Sequence, residues 1–393
     1  MSVASVIRAD CVILGGGIAG LWARAALTAA GFGVVLITDQ PLGAGQTVAS
    51  QGILHRGLKY ALSREAASAA DALESAHRAW ADALAGRGVV DLRAARVLSP
   101  CTYLWTRPGA LSTLTAAAGA LAMKSAVSRV EAPHRPEAFA GVPDRIGLWR
   151  VDEPCLDAAS LVSALAAAHA GPVLVSADAA VARNGDGWAV STPDYLIEAR
   201  AVLFAAGAGN ESLLRRVGLD PAPLTQRRPL RMTLARGAPF HLFGHCVKEL
   251  SDKPRLTITS AEAAGDVIWY IGGDAAERGT GLAPEAHLRS VRDELAACLP
   301  WVRGESLRLA WFDIDRAEGR TTDGKRPDGP VLHAFESLAA LWPTKLALAP
   351  AAADLALEWI RRALGAARDI PPAASAIRPI APPPWERSDL TWS

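Results

Sequence analysis

The sequence predicts an α/β protein with two interleaved domains: a discontinuous domain on a parallel sheet, and an inserted α+β domain on an antiparallel sheet. Three observations predict this arrangement. A strand–turn–helix–strand unit opens the chain at residues 11–37. Alternating strand patterns dominate residues 230–273, and apolar strand and helix patterns return after residue 331. Because the two kinds of segment alternate along the chain, we expect each domain to be assembled from separated segments.

The opening unit is built around a glycine-rich turn. The apolar run Cys11–Leu14 precedes Gly15, Gly17 and Gly20 in a GxGxxG spacing, and a helical run follows at 21–30. In a Rossmann-like unit, the first glycine permits the tight turn and the second lets the backbone approach a diphosphate. The third lets the helix pack closely, and the N-terminus of that helix favours anions. These features favour dinucleotide binding; an ordinary tight turn between strand and helix is the alternative.

Composition excludes several classes of protein. The 393 residues include 41 Lys+Arg and 40 Asp+Glu, so no basic surface for nucleic acid is indicated. The five cysteines are dispersed and form no metal-ligand spacing with histidine. We therefore expect reduced thiols, a cytoplasmic location and no metal site. No apolar run reaches the length of a transmembrane span, and the apolar start of the chain is better used as a strand than as a signal peptide.

The elements up to residue 230 follow from local patterns. Alanine-rich helical spacing predicts helices, and apolar runs bounded by glycine or proline predict strands. Asp157 stands near the start of one helix, and Asn184–Gly187 has the residues of a hairpin turn. The predicted helices span 63–84, 109–123 and 156–168; the predicted extended segments span 92–105, 172–176 and 201–206, with a proline-broken loop at 133–143.

The second half of the chain is richer in strands. The proline-rich residues 371–393 predict an extended arm, which could wrap over the body or contact a second copy or a partner subunit. The remaining predictions are strands at 230–235, 255–260, 267–271 and 306–314, helices at 287–299 and 351–364, a glycine-rich loop at 319–330 and strand-like sequence at 331–348.

These elements group into two domains and an arm. We expect a nucleotide-binding domain from residues 1–92, 154–225 and 322–370, a substrate domain from 93–153 and 226–321, and the arm at 371–393.

Four segments together resemble the D-amino-acid oxidase and glycerol-3-phosphate dehydrogenase group of glutathione-reductase-like FAD oxidoreductases. They are the glycine turn, GQTVASQGILHRGLKY at 45–60, AVLFAAGAG at 201–209, and the C-terminal pair RPDGP at 326–330 and PTKLALAP at 343–350. The resemblance implies FAD as the cofactor, a Rossmann-like FAD-binding domain and a small-molecule substrate. It also implies that segment 45–60 runs beside the flavin.

The resemblance supplies candidate cofactor-binding residues. Where the family usually has a glutamate for the adenosine ribose, this chain has Thr38, so either Asp39 takes over or the ribose is held differently. Lys345 is the candidate cation beside the reduced flavin ring, with a surface lysine as the alternative. The full set is Gly15, Gly17, Ile18, Ala19, Gly20, Thr38, Asp39, Gln40, Gly45, Gln46, Thr47, Ser50, Gln51, Gly52, Ala179, Ala206, Gly207, Gly209, Thr344, Lys345 and Leu346.

Five residues are candidates for catalysis or substrate binding. The resemblance places His55 near the flavin, as a base or as a structural histidine. Arg56 could bind a substrate carboxylate or phosphate, the FAD diphosphate, or solvent. Arg320 could hold a substrate carboxylate or be a solvated loop residue. Tyr270 could line the pocket or lie in the core, and Lys345 completes the set.

The motifs indicate the class of reaction but do not identify the substrate. Gly272–Glu277 resembles the Gly-Asp motif of flavin hydroxylases, but the strand-like residues before it favour a turn at a strand end. The sequence has no second GxGxxG for a nicotinamide cofactor. We therefore expect an FAD-dependent oxidoreductase that oxidises a small amine, such as an amino acid, or a 2-hydroxy acid or polyol, by hydride transfer to flavin N5. A flavin monooxygenase of aromatic compounds and an FAD-holding subunit of a larger complex are the alternatives.

Overall fold

The computed structural model describes most of the chain. The described residues are 5–56, 67–107, 127–144, 146–168, 171–247, 254–321, 323, 326–368, 370 and 378–393. The predicted helix at 109–123 lies outside these residues. So do residues 57–60 of the segment beside the flavin, the start of the helix predicted at 63–84, and residues 371–377 of the arm.

The described strands and helices follow the predicted order. The strands are β1 (Ser5–Leu14), β2 (Val34–Thr38), β3 (Val97–Ser99), β4 (Thr102–Trp105), β5 (Val127–Arg129), β6 (Leu148–Val151), β7 (Cys155–Leu156), β8 (Val173–Val175), β9 (Ala180–Asn184), β10 (Gly187–Ser191), β11 (Tyr195–Phe204), β12 (Thr225–Arg236), β13 (Gly244–Val247), β14 (Pro254–Ala263), β15 (Asp266–Gly272), β16 (Arg308–Gly319), β17 (Val331–Phe335) and β18 (Leu338–Trp342). The helices are α1 (Ile18–Ala29), α2 (Ala67–Leu84), α3 (Ala158–Ala167), α4 (Asn210–Arg216), α5 (Asp274–Gly279), α6 (Pro284–Cys298) and α7 (Ala349–Leu364).

The opening unit forms the centre of a largely parallel sheet. Its strands follow the order β17-β18-β11-β1-β2-β8, and the hairpin β9–β10 adds to β11. β1 runs parallel to both β2 and β11, with Cys11 opposite Val34 and Ala201. The segment at 201–206 is therefore the neighbour of the first strand, although about 190 residues separate them. The Rossmann-like fold predicted from the glycine turn is confirmed.

Both faces of this sheet are covered, which explains the unbroken apolar sequence of its strands. Cys11 and Ile13 face the core formed with α1 and α7, whereas Val12 and Leu14 face the opposite core. α3 begins as predicted, because the carboxylate of Asp157 accepts a hydrogen bond from the N–H of Ser160 at 2.7 Å.

A second sheet is mostly antiparallel, as predicted. Its order is β16-β12-β15-β14-β13-β4-β6-β5, and only the β13–β4 pair within it is parallel. Strands from residues 102–151 and from 225–319 share this sheet. The boundaries of the two domains stay a prediction.

Three local predictions need correction. Residues 92–105 form two short strands instead of one extended segment, because Ser99 Oγ donates to the carbonyl of Cys101 in a turn between them. The strand-like sequence at 331–348 folds into the β17–β18 hairpin and ends at Trp342. After β15, Gly273 adopts φ +87° and the six-residue helix α5 follows, where only a turn was expected.

The described end of the arm, residues 378–393, packs on its own chain. The N–H of Leu42 donates to the carbonyl of Pro379, and the N–H of Ala381 donates back to Leu42. At the other end, Ser393 and Leu309 exchange two backbone hydrogen bonds. Of the two alternatives for the arm, these contacts correspond to wrapping over the body.

Candidate active site

A large cavity lies between the two sheets. Its volume is about 1490 Å³, above the roughly 300–1,000 Å³ typical of small-ligand pockets. The glycine turn, residues 38–53, the ends of β12 and β16, and residues 343–346 all contribute to its lining. A cavity of this size can hold an extended ligand together with a second, smaller molecule.

The three glycines of the opening turn have distinct structural roles. Gly15 adopts φ +126°, a conformation that other residues rarely take. A Cβ on Gly20 would overlap the carbonyl oxygen of Gly15, so α1 packs against the turn only because Gly20 lacks a side chain. Gly17 is the residue before α1 and lines the cavity. The backbone and the N-terminus of α1 are therefore accessible to an anionic ligand.

The segment after β2 docks on this turn. The N–H of Gly43 donates to the carbonyl of Gly16, and Thr47 Oγ1 accepts from the N–H of Ile18 at 3.0 Å. Ser50 Oγ is buried and has no hydrogen-bond partner among the described residues, although Ser50 lines the cavity. An orphaned buried hydroxyl is costly, and a bound polar ligand could satisfy it.

The two candidates for the adenosine ribose, Thr38 and Asp39, lie at the end of β2 and differ in burial. Thr38 is buried, and its hydroxyl donates to the carbonyl of Gln40 at 2.9 Å. Asp39 is exposed and also lines the cavity. The hydroxyl of Thr38 is thus engaged within its own turn, which leaves the carboxylate of Asp39 as the better acceptor for ribose hydroxyls.

Two predicted cofactor-binding glutamines connect the sheets. Gln51 Nε2 donates to the carbonyls of Thr257 and Tyr270, and Gln46 Oε1 accepts from the N–H of Ala317. Both side chains still border the cavity. Their amides therefore fix the antiparallel sheet over the segment that carries His55.

The remaining cofactor candidates lie before α4 and after β18. Ala206, Gly207 and Gly209 line the cavity, as do Thr344, Lys345 and Leu346. Thr344 has φ +63° and its hydroxyl donates to the carbonyl of Gly329, which holds the loop before α7 in a fixed shape. Ala179 is buried in the core and is not among the residues that border the cavity.

His55 belongs to a cluster that the sequence did not reveal. Its Nδ1 lies 3.3 Å from Glu153 Oε2, and His245 Nε2 lies 3.9 Å from the same oxygen. The N–H of Arg56 donates to Glu153 Oε1 at 2.7 Å. All three side chains of the cluster border the cavity, with ligand-type atoms within 4.8 Å of one another. No metal site was expected, but this set could also ligate a cation.

Burial and charge set the protonation of this cluster. Burial raises the pKa of Glu153, but the hydrogen bond to His55 and the nearby imidazoles outweigh it and lower the pKa to about 2. Burial, with a further contribution from His55, lowers the pKa of His245 to about 4. At neutral pH, Glu153 is ionised and His245 is neutral.

The lowered pKa of His245 predicts that the folded protein loses stability on acidification. The unfolded chain takes up a proton on His245 near pH 6.5, whereas the folded chain resists it until about pH 4. Stability therefore falls as pH drops through this window, by up to about 3 kcal/mol at about 1.4 kcal/mol per pKa unit. Melting temperatures between pH 7 and pH 4 should show a flatter profile for His245→Gln. Replacing the exposed His134 in the same way should leave the profile unchanged, and equal profiles for all three proteins would contradict the prediction.

Three predicted substrate contacts lie elsewhere. Arg56 points its Nε to the carbonyl of Asp152, and Arg320 donates to the carbonyl of Ala222; neither borders the cavity. Tyr270 is only 1% exposed and donates its hydroxyl to the carbonyl of Ala49 at 2.6 Å. These positions correspond to the alternatives that the sequence left open, which are solvent for Arg56 and Arg320 and the core for Tyr270.

Two other arginines border the cavity. Arg228 on β12 lies directly opposite Arg316 on β16, and both border the cavity. Glu318 pairs with Arg228 through two bonds of 2.7 and 2.8 Å, and Glu277 pairs with Arg316 at 2.7 Å. These acids offset the repulsion between like charges on neighbouring strands. Apolar Leu230 and Ile314 follow on the same face.

Known proteins are similar to this chain over most of its length. Residues 10–379 match the model of the DAO family, described as FAD dependent oxidoreductase. The probable FAD-dependent oxidoreductase PA4991 of Pseudomonas aeruginosa is 38% identical over 352 residues, covering 88% of this chain and 90% of the relative. Its crystal structure superposes with a TM-score of 0.82 and 33% identity, covering 98% and 99% of the two chains.

More distant structures share the fold. Glycine oxidase from Geobacillus kaustophilus has a TM-score of 0.61 at 17% identity, covering 92% of this chain and 97% of the other. L-α-glycerophosphate oxidase from Mycoplasma pneumoniae, solved with FAD bound, has a TM-score of 0.64 at 14% identity, covering 90% and 95%. Within the described ranges, no helix of this chain combines the length and apolar character needed to cross a membrane.

Proposed function

The chain belongs to the DAO family of FAD-dependent oxidoreductases, and from this premise we propose that it oxidises a small amine, with amino acids as the leading class. It is an enzyme, and FAD is its cofactor. The observation that carries the proposal is that His55, backed by Glu153, borders the same cavity as the glycine turn. A proton acceptor and a dinucleotide site thus share one space.

The residues present fit FAD. Gly17 and the N-terminus of α1 would hold the diphosphate, and Asp39 would hold the adenosine ribose. The orphaned hydroxyl of Ser50 supplies a further polar contact inside the cavity. Lys345, in the loop before α7, would place positive charge beside the ring. Bound FAD supplies the two-electron acceptor.

The charge of the lining favours an amine over a hydroxy acid. Eight aspartates and glutamates border the cavity, against five arginines and lysines. Asp313 and Asp274 are paired with Arg231 and Arg278, which lie outside the lining, and we take the acids together as favouring a cationic substrate. Arg228 and Arg316 can bind the carboxylate of an amino acid, and Leu230 and Ile314 can contact its apolar part. 2-Hydroxy acids and polyols carry no positive charge and form the second class to test.

Anaerobic bleaching of the bound flavin tests the proposal. We expect the purified yellow protein to lose its flavin absorbance with at least one amine or amino acid, and more slowly or not at all with hydroxy acids and polyol phosphates. Bleaching by hydroxy acids alone would replace the amine by the second class. Oxidation of NAD(P)H stimulated by an aromatic ligand, with no bleaching by either panel, would identify a monooxygenase and refute the proposal.

A further inference from the structure

We infer that Glu153 is a positioning residue: its carboxylate holds the Nδ1–H of His55 and thereby presents Nε2 of His55 to the substrate as the proton acceptor. This inference rests on the proposed function, since it assigns the base in that reaction. Nothing in the local sequence around Glu153 marks it, because it is brought to His55 only by the fold.

The hydrogen bond between His55 and Glu153 has a defined direction. Glu153 is 4% exposed and ionised at neutral pH, so its oxygens can only accept. The N–H of Arg56 occupies Oε1, and Nδ1 of His55 faces Oε2 at 3.3 Å. The proton in the His55–Glu153 pair therefore belongs to Nδ1. In a neutral imidazole the other nitrogen, Nε2, then carries the lone pair.

The other groups around His55 do not compete with Glu153. His245 packs beside it, with ring centroids 5.5 Å apart, and bonds Thr257 Oγ1 through Nδ1. Because His245 is neutral and its Nε2 lies 3.9 Å from Glu153, it forms no competing ion pair. His77 bonds the carbonyl of His55 at 2.9 Å, and the guanidinium of Arg56 turns toward Asp152. Glu153 is thus the one carboxylate held against His55 in this part of the described chain.

The side chains of His55 and Glu153 differ in their exposure to solvent. The side chain of His55 is 42% exposed and borders the cavity, whereas that of Glu153 is 5% exposed. A base must reach substrate on one side and be held on the other, and this pair meets both conditions. On oxidation, the substrate carbon loses a hydride to the FAD acceptor, and its N–H or O–H bond breaks as the C=N or C=O bond forms. The released proton binds His55 Nε2, and the Glu153 carboxylate stabilises the resulting imidazolium.

Rate measurements on single and double variants test this assignment. With the compound that bleaches the wild-type flavin, we expect Glu153→Gln to slow bleaching about 100-fold or more, in the range of general-base effects. Glu153→Asp should restore part of the rate, because it keeps the charge. In the His55→Asn background, Glu153→Gln should cause no further loss, because Glu153 acts through His55. Flavin content and melting temperature establish that each variant is folded and loaded.

The chain offers a matched control. Glu262 pairs with His241 at 3.0 Å on the exposed surface, so Glu262→Gln removes the same type of contact away from the cavity. We expect this variant to bleach at the wild-type rate. Independent losses from His55→Asn and Glu153→Gln in the double variant would overturn the inference.

A substrate-free measurement separates this inference from the proposed function. In ¹⁵N-histidine-labelled holoenzyme, the neutral form of His55 should carry its proton on Nδ1, and Glu153→Gln should populate the other tautomer. If no compound bleaches the flavin but the tautomer changes as expected, the proposed function fails while the positioning role stands. An unchanged tautomer would overturn the positioning role. One equivalent of tightly bound transition metal, lost in Glu153→Gln, would also overturn it and make the cluster a metal site.

Discussion

Replacing Gly17 by valine will yield a folded protein that purifies without FAD. Gly17 precedes α1 and borders the cavity, at the point where the backbone must approach a diphosphate. Its φ of −81° is open to any residue, so backbone strain does not arise. A Cβ there would lie 3.2 Å from Thr47 Oγ1, and the γ-methyl groups of valine would occupy space beside the helix N-terminus. We expect FAD affinity to fall at least about 100-fold, or roughly 2.7 kcal/mol.

The measurement is the ratio of flavin to protein absorbance after purification, followed by titration of the apoprotein with FAD. Gly304→Val is the matched control, because a Cβ at Gly304 meets only Leu307 at 3.7 Å and the residue lies away from the cavity. The apoprotein of Gly17→Val should melt close to the wild-type apoprotein. Full FAD occupancy in Gly17→Val would show that the diphosphate lies elsewhere.

The part of the site made by the opening unit was predictable because its determinants are local. A strand, three glycines and a helix within about twenty residues leave few conformations for the turn, and β1 reads as apolar because both of its faces are buried. The same holds for the Asp157 cap and the β9–β10 hairpin. In each case the residues that decide the structure are neighbours in sequence.

The His55 cluster could not be predicted because its members meet through long-range strand pairing. Glu153 follows β6, and His245 lies on β13, which reaches the same place through its parallel pairing with β4. That parallel pair is an exception in an otherwise antiparallel sheet. The alternation of apolar and polar residues alone does not encode which strand pairs with β13 or the register of that pair.

Which arginine borders the cavity depends on where β16 ends. The strand expected to end at Ile314 continues to Gly319, which puts Arg316 on the cavity-facing side opposite Arg228. Arg320 follows the strand and turns outward to Ala222. A shift of the strand end by a few residues thus changes which cation borders the cavity.

Tyr270 shows how the arm changes the environment of a strand. In β15, Trp269 and Ile271 face the core of the antiparallel sheet, whereas Tyr270 faces the opposite side. On that side Ala49 accepts the hydroxyl of Tyr270, and Phe312 stacks against its ring. Trp385 of the arm packs edge-on against Tyr270, with ring centroids 6.4 Å apart, and completes its burial.

Deleting residues 382–393 will therefore lower the melting temperature by several degrees without changing the oligomeric state. The deletion uncovers Tyr270 and Phe312 and removes the two hydrogen bonds between Leu309 and Ser393. It also removes the contact of Arg236 with the Trp392 ring at 4.5 Å. Full exposure of each side chain would cost about 1.5–3 kcal/mol, and the deletion exposes each of them in part. Residues 378–381 remain, so the pairing with Leu42 beside the glycine turn is kept.

Thermal unfolding of the holoenzyme measures the loss of stability, and sizing chromatography measures the oligomeric state. Trp392→Ala, which removes a single ring and its cation–π contact, should lower stability by a smaller amount than the deletion. FAD content should stay near that of the full-length protein, because the deleted residues do not border the cavity. A deletion variant that keeps its melting temperature but falls to a smaller assembly would instead assign the arm to a neighbouring chain. Packing of Trp385 against Tyr270 within one chain predicts the opposite pattern, which is lower stability with an unchanged oligomeric state.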